Sequence, residues 1–272
     1  MKKSKLKTMA TLSLALIPML ANADFLQGKT AMMAGDYNTA IHEFEPLATQ
    51  GDIKSQYIMG VMYDDGLGVK RDYEVAAQWY AKAAEQGDIN SQYNLGVMYS
   101  KGQGVEANAP QSVAWYKKAA ERDFAPAQYA LADMYAKGWG VEQSYSNAAV
   151  WYEKAAKLKH FKSQLMLGIL YLEGNGVDKN EKQAAHWIKQ SAEQGHYKAQ
   201  YTMGMMYKEG VGVASDLIVA YALLDVATRD GHGEAKKIKR EVEAYLEESQ
   251  LTEAKALAEQ WKQAQPITIP TS

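Results

Sequence analysis

Apolar and polar residues alternate along most of the chain with the spacing of amphipathic helices, and the alternation recurs in blocks. In the stretch YEVAAQWYAKAAEQG, which begins at Tyr73, the apolar residues follow the three-and-four spacing of one helical face. The preceding stretch IKSQYIMGVMYDDG is apolar around more of its circumference, which is typical of a helix packed on two sides. Each block therefore predicts two helices joined by a turn.

The blocks return every 36 residues. Glutamine, tyrosine and two glycines each recur five times at this step, in series that begin at Gln56, Tyr63, Gly66 and Gly68. A tryptophan series begins at Trp79, has four members and ends in Leu223. A fixed period of this size indicates a solenoid, in which each helical unit packs on its neighbours.

The two glycines predict the geometry of the turn. Gly66 lies where the first helix should end, a position that commonly adopts the left-handed conformation, and Gly68 permits a second unusual backbone angle. The second helix then needs an N-cap, and the five residues at that position are all good N-caps: Asp72, Asn108, Ser144, Asn180 and Asp216. The recurring motif is thus predicted to be scaffold, with no chemistry in it.

The segments SQYNLGVMYSKGQGV and QSVAWYKKAAE resemble the Sel1-like repeat, a relative of the tetratricopeptide repeat with a longer turn. The resemblance covers residues 51–230 as five consecutive units. It implies an all-α fold, a right-handed α-solenoid of stacked antiparallel helix pairs. Residues 24–50 resemble a plain tetratricopeptide helix pair, residues 231–264 are predicted to form capping helices, and the tail 265–272 is predicted to be disordered.

Residues 1–23 are predicted to be a secretory signal peptide. Four lysines precede an apolar run that is too short to span a bilayer, and Ala21-Asn22-Ala23 fits a cleavage site. We expect a periplasmic mature protein without a transmembrane segment, with secretion as the alternative. Removal of the four lysines takes the formal net charge from −2 to −6, so no basic patch indicates a nucleic-acid partner. With no cysteine in the chain, stability must come from packing.

Catalytic and metal-binding motifs are missing from the sequence. It has no Cys/His metal set and no G-x-S-x-G, H-E-x-x-H or phosphate-loop pattern, so we predict no enzymatic activity, no metal and no cofactor. His160, His196 and His232 stand 36 residues apart, which places them about 10 Å apart in stacked units, too far to share one metal ion. We expect them at solvated loop positions, and His42 and His186 on the surface.

The resemblance also implies that the first helix of each pair lines a concave groove. Tyrosines with mixed charge at this face would suit a peptide or protein ligand, because tyrosine supplies contact area at low entropic cost. The implied partner-binding residues are Tyr57, Asp64, Tyr93, Tyr129, Asp133, Leu172, Tyr201 and Lys208. Packing between helices is the alternative explanation for the tyrosines, since they recur with the scaffold.

Three functions are compatible with these features. The favoured one is an exported adaptor for an unidentified protein or peptide, since Sel1-like proteins typically scaffold complexes and exported bacterial members are linked to envelope signalling, cell-wall enzymes or motility. A second is an enzyme acting on β-lactams or peptidoglycan. The similar β-lactam-binding proteins carry cysteine pairs that this chain lacks, and its mature part has no S-x-x-K motif. A third is a secreted protein that binds a host factor.

Overall fold

The chain is helical throughout the part that this computed structural model describes, namely residues 24–228, 233–263 and 267–270. These residues form fourteen helices and no strand, which confirms the predicted all-α fold of stacked helix pairs. The predicted signal peptide and His232 lie outside the described residues. The helices form two compact units, with the boundary between Arg122 and Asp123.

The first unit contains six helices, and each one packs against the next along the chain. Within a repeat the two helices run antiparallel, because the turn joins one pair of ends while Gln86 Nε2 donates to Gln56 Oε1 at the other, 2.7 Å away. Helix α1 covers residues 24–33. The others are α2 (Tyr37–Thr49), α3 (Ile53–Asp65), α4 (Tyr73–Glu85), α5 (Ile89–Lys101) and α6 (Ala109–Ala120).

The second unit continues the same alternation and ends in a different arrangement. Helices α13 and α14 both pack on α12, and α14 contributes the buried residues Ala254, Ala258 and Trp261. The helices of this unit are α7 (Ala125–Lys137), α8 (Tyr145–Lys157), α9 (Phe161–Glu173), α10 (Glu181–Glu193), α11 (Tyr197–Glu209), α12 (Leu217–Ala227), α13 (Gly233–Glu243) and α14 (Glu248–Gln263).

The turn within each repeat has the predicted caps. Gly66 ends α3 in the left-handed conformation with φ of 73°, and its N–H donates to the Met62 carbonyl. The Asp72 N–H donates to the Tyr63 carbonyl at 2.9 Å, while the Asp72 carboxylate accepts two N–H groups of the first turn of α4. The same N-cap interaction recurs at Asn108, Ser144, Asn180 and Asp216.

The second glycine of the turn contacts the preceding repeat. Gly68 has φ of 70°, and a Cβ atom added to it would lie 2.8 Å from the backbone of Tyr37, the first residue of α2. Equivalent contacts, closer still, join three later glycines to the starts of α4, α8 and α10: Gly104 to Tyr73, Gly176 to Tyr145 and Gly212 to Glu181. Only glycine fits there, so this contact sets how closely successive repeats approach.

A buried hydrogen bond also joins successive repeats. Gln56 on α3 is 4% exposed, and its Nε2 donates to the carbonyl of Ala48 near the end of α2, at 3.1 Å. The Ala48 carbonyl lies in the last turn of α2 and also accepts the Gly51 N–H at 3.1 Å, so the glutamine adds a donor from the next repeat. Three later glutamines make the same bond to the preceding helix, namely Gln92, Gln164 and Gln200.

The prediction of a disordered tail is wrong for residues 267–270. Ile267 and Ile269 are only 2% and 1% exposed, and they belong to the buried cluster that contains Trp261 and Leu223. The segment is held because it carries two large apolar side chains in alternate positions, and their burial outweighs the effect of the prolines and threonines beside them.

The glycine contact predicts a difference between two substitutions in one turn. Gly102 and Gly104 have φ of 67° and 68°, so alanine at either site carries a backbone penalty of about 1 kcal/mol. Only Gly104→Ala would also drive a Cβ into the backbone of Tyr73, and this overpacking adds about 1–3 kcal/mol. We expect urea unfolding to show a clearly larger loss for Gly104→Ala. Equal losses would contradict the packing role of the second glycine.

Candidate protein-binding surface

The predicted tyrosines of the first unit pack on one edge and stay accessible on the other. We call the first helix of each repeat the A helix and the second the B helix. On the A helices, Tyr57 and Tyr93 are half-buried, with ring centroids 6.1 Å and 5.6 Å from those of Tyr80 and Tyr116 on the B helices. Tyr80 and Tyr116 are themselves buried. A packing role and an accessible edge are therefore combined in the same side chains.

Asp64 is anchored in this layer. Its Oδ2 accepts a hydrogen bond from the Tyr80 hydroxyl at 3.3 Å, and burial raises the pKa of the Asp64 carboxyl although that hydrogen bond opposes the shift. Burial also raises the pKa of the Tyr57, Tyr93 and Tyr129 hydroxyls. These three groups therefore stay protonated near neutral pH and can donate hydrogen bonds to a partner.

The second unit carries a continuous strip of aromatic rings. The Tyr129 ring centroid lies 5.2 Å from that of His160, which lies 5.9 Å from Phe161. The Phe161 ring lies 4.9 Å from His196, and His196 lies 5.8 Å from Tyr197. These five residues, the aromatic row, come from the A helices α7, α9 and α11 and the N-caps of α9 and α11. The rings thus bridge successive repeats.

The prediction that His160 and His196 are solvated loop residues is wrong. Both are N-cap residues with half-buried rings, and His160 Nδ1 accepts the Ser163 N–H at 3.4 Å. Burial lowers the pKa of His160, and burial together with the charges of Lys198 and Lys162 lowers the pKa of His196 to about 4. The row is therefore uncharged at neutral pH. His42 and His186 are exposed, as predicted.

Two lysines flank the row. Lys162 Nζ lies 6.0 Å from the Phe161 ring centroid, and Lys198 Nζ lies 6.0 Å from that of Tyr197. Both lysines are exposed, and Phe161 is 36% exposed. Asp133, on the same A helix as Tyr129, pairs with Lys137 at 2.6 Å. The surface therefore combines an apolar strip with positive charge beside Phe161 and Tyr197.

Three predicted residues near the end of the chain do not join the row. Leu172 is partly buried against the cluster that contains the tail isoleucines. Tyr201 packs against the cluster that contains Ala235 of α13, and Lys208 Nζ lies 3.3 Å from Glu241 Oε2 on the same helix. Helix α13 therefore pairs with the face that Tyr201 and Lys208 were predicted to offer to a partner.

Among the described residues, no three His, Cys, Asp or Glu side chains are grouped so that they could hold a metal ion. In the same part of the chain, no helix is long and apolar enough to cross a membrane.

The chain is an α-solenoid built from short repeats, because its helix pairs stack and are joined by glycine turns. An accessible aromatic surface lies on its A helices. The family model for the Sel1 repeat matches residues 53–88, 89–124, 125–160, 162–196 and 198–232. The chain belongs to the Sel1 repeat family, whose members are generally scaffolds for protein–protein interaction.

Two solved structures are similar to the chain. A Sel1 repeat protein from Oxalobacter formigenes is 33% identical, with a TM-score of 0.73, over 79% of this chain and 86% of that one. The protein c5321, described as a protective antigen of uropathogenic Escherichia coli with an SLR fold, is 26% identical with a TM-score of 0.48, over 95% of this chain and 81% of that one. No curated protein matches the chain.

Sequence reasoning missed the row because it weighed His160 and His196 only as metal ligands and did not combine them with the aromatic residues that follow them. The signal was present at the N-cap, which changes from aspartate in the first two full repeats to His160 and His196 in the last two. The next residue changes from isoleucine to Phe161 and Tyr197. Two adjacent changes to aromatic rings in successive repeats indicate a surface that the scaffold alone does not require.

The lowered pKa of His196 predicts a pH-dependent stability. A folded pKa of about 4, below the unfolded value of 6.5, means that the unfolded chain binds more protons between these values. The contribution of neutral His196 to the free energy of unfolding is therefore complete above pH 6.5 and is lost as the pH falls towards 4. We expect His196→Asn, which keeps a good N-cap residue, to reduce the drop in Tm between pH 7 and 4.5. The exposed control His42→Asn should leave the drop unchanged, and the same drop in all three proteins would contradict the burial of His196.

Proposed function

We propose that the protein is an exported periplasmic adaptor that binds a partner protein through its A-helix face. The processes that suit such an adaptor are envelope signalling, control of a cell-wall enzyme, and motility. The membership of a scaffold family supports the adaptor role, and the signal-like residues 1–23 support export.

The aromatic row is the observation that carries the proposal. Aromatic residues are enriched among the few side chains that supply most of the binding energy at protein interfaces. Rings that already contact one another lose little freedom on binding, so the row is pre-organised for a ligand. The neutral histidines let an apolar segment approach without the desolvation of a charge.

The charges beside the row indicate the chemistry of the partner. Lys162 and Lys198 are exposed and lie beside Phe161 and Tyr197, so they favour a segment that carries acidic residues next to apolar ones. The protonated hydroxyl of Tyr129 can donate to a backbone carbonyl of the same segment. We therefore expect the partner to present an acidic, apolar peptide or helix.

Site-specific photocrosslinking in the cells that make the protein tests the binding face. A benzophenone amino acid would replace Phe161 in the row or, as a control, Val150 on the B helix α8, which is 51% exposed in the same unit. We expect a discrete adduct with one protein from position 161 and none from position 150. Adducts of equal yield from both positions, or none from position 161, would contradict the proposed face.

Export is tested separately on the untagged protein. We expect osmotic-shock fractionation to release it with periplasmic markers, and intact-mass measurement to show a chain that begins at Asp24. A chain that keeps residues 1–23 and stays with cytoplasmic markers would rule out the periplasmic adaptor, whatever the crosslinking shows.

A further inference from the structure

Residues 267–270, which we call the strap, form no helix or turn and lie against α10 and α11. The Ile267 N–H donates to the carbonyl of Glu193, the last residue of α10, at 3.1 Å. The Ile269 N–H donates to Glu193 Oε1, also at 3.1 Å. The Pro270 carbonyl accepts from the Tyr207 hydroxyl at 2.8 Å and from Lys189 Nζ at 3.1 Å. Three side chains and one helix end thus hold the strap.

The strap is recognised as a peptide ligand would be. Its hydrogen bonds to the described residues of α10 and α11 use the main-chain N–H and C=O groups of the strap, which any extended segment offers. Its side chains alternate between the core and solvent: Ile267 and Ile269 are buried, while Thr268 and Pro270 are exposed. Main-chain hydrogen bonds with pockets for alternate side chains are the usual means of binding an extended peptide.

The polar residues that hold the strap differ from those of the preceding repeat. One repeat earlier, Glu153 and Lys157 occupy the positions of Lys189 and Glu193, with their charges exchanged. They pair with each other at 2.7 Å, and a lysine side chain at the second position offers no acceptor to a peptide N–H. The preceding repeat therefore lacks the acceptor that α10 offers to the strap, whereas Lys117, Glu121 and Tyr135 repeat the same residue types two repeats earlier, so the polar residues alone do not distinguish the seat of the strap.

The core beneath the strap also differs from the other repeats. Leu223 stands where four earlier repeats have tryptophan, and it belongs to the same buried cluster as Ile267 and Ile269. Tyr207 is 2% exposed, whereas its equivalents in the four earlier repeats are only half-buried. The strap thus completes an apolar cluster of α10, α11 and α12 and covers Tyr207, whose hydroxyl donates to it.

We propose that the seat of the strap on α10 and α11 is a second binding site, for an extended partner segment with the pattern Ile-x-Ile-Pro, and that the strap occupies it in the resting protein. Residues 264–266 alone connect the strap to α14, and a short tether gives an effective concentration of about millimolar. The strap therefore stays bound to its seat within the chain, although a contact over four residues has weak intrinsic affinity. A partner segment that makes longer contact can displace it. This site is independent of the aromatic row.

Binding of the tail peptide in trans tests the site. The probe is a fluorescent peptide QPITIPTS, the sequence of residues 265–272. The receptor is the otherwise complete mature chain with Ile267→Asp and Ile269→Asp, which release the strap because two carboxylates would have to be buried beside Glu193. The matched control is Thr268→Asp, a charge at the exposed position of the same strap. We expect saturable anisotropy binding to the released variant and none to the wild type or the control.

A further substitution checks the location. Adding Tyr207→Phe to the released variant removes one donor to the probe and should weaken binding about fivefold. No binding to a released variant whose circular dichroism matches the wild type would overturn the proposal. Equal binding to the wild type and the released variant, or no effect of Tyr207→Phe, would place the probe elsewhere and overturn it too.

Hydrogen exchange on the wild-type chain keeps the proposal testable if the released variant does not fold. We expect the Ile267 and Ile269 amides to exchange more slowly than in the free peptide and faster than the interior amides of α10, because the strap opens without unfolding the helix. Exchange as slow as that of α10 would mean that the strap is a fixed part of the core. Exchange as fast as in the free peptide would mean that it is not seated, and either result would overturn the proposal.

Discussion

The contact between the second turn glycine and the preceding B helix is the constraint on which the repeat architecture depends. Gly68, Gly104, Gly176 and Gly212 each lie against the first residue of that helix, where a Cβ would meet backbone atoms. The buried glutamine at the other end of the repeat bonds to the end of the same helix. The repeats that begin with α3, α5, α9 and α11 are therefore each fixed to their predecessor at both ends of one helix, by close packing and by a hydrogen bond.

This spacing gives the A-helix face of the second unit its character. His160 and His196 begin α9 and α11, and their rings reach the preceding repeat at Tyr129 and Phe161 because the helices are held close. The same burial that joins the rings keeps the histidines neutral. The close packing of the repeats thus produces a pre-organised apolar surface. Such a surface suits a family whose members generally assemble proteins.

Most of the fold could be predicted from the sequence, because the helix period, the cap residues and the glycines are local signals that recur five times. The row and the strap could not, for two different reasons. The row depends on which rings meet across a repeat boundary. Comparing the residues at one position of the repeat does not show which side chains lie next to them in space. The strap depends on Leu223 interrupting the tryptophan series and on Ile267 and Ile269 returning from beyond α14. The alternating isoleucines of the tail are a local sign of burial, but they do not show where the tail packs.

The most direct test of this account is the pKa of His196, followed by NMR titration of its ring in three proteins. The account predicts about 4 in the wild type and in Gly210→Ala, where an added Cβ would come no closer than 3.6 Å to Ser215. In Gly212→Ala the Cβ would collide with Glu181, so the last repeat must move, and the pKa should rise towards 6.5. An unchanged pKa in Gly212→Ala would contradict the claim that the turn glycine builds the surface.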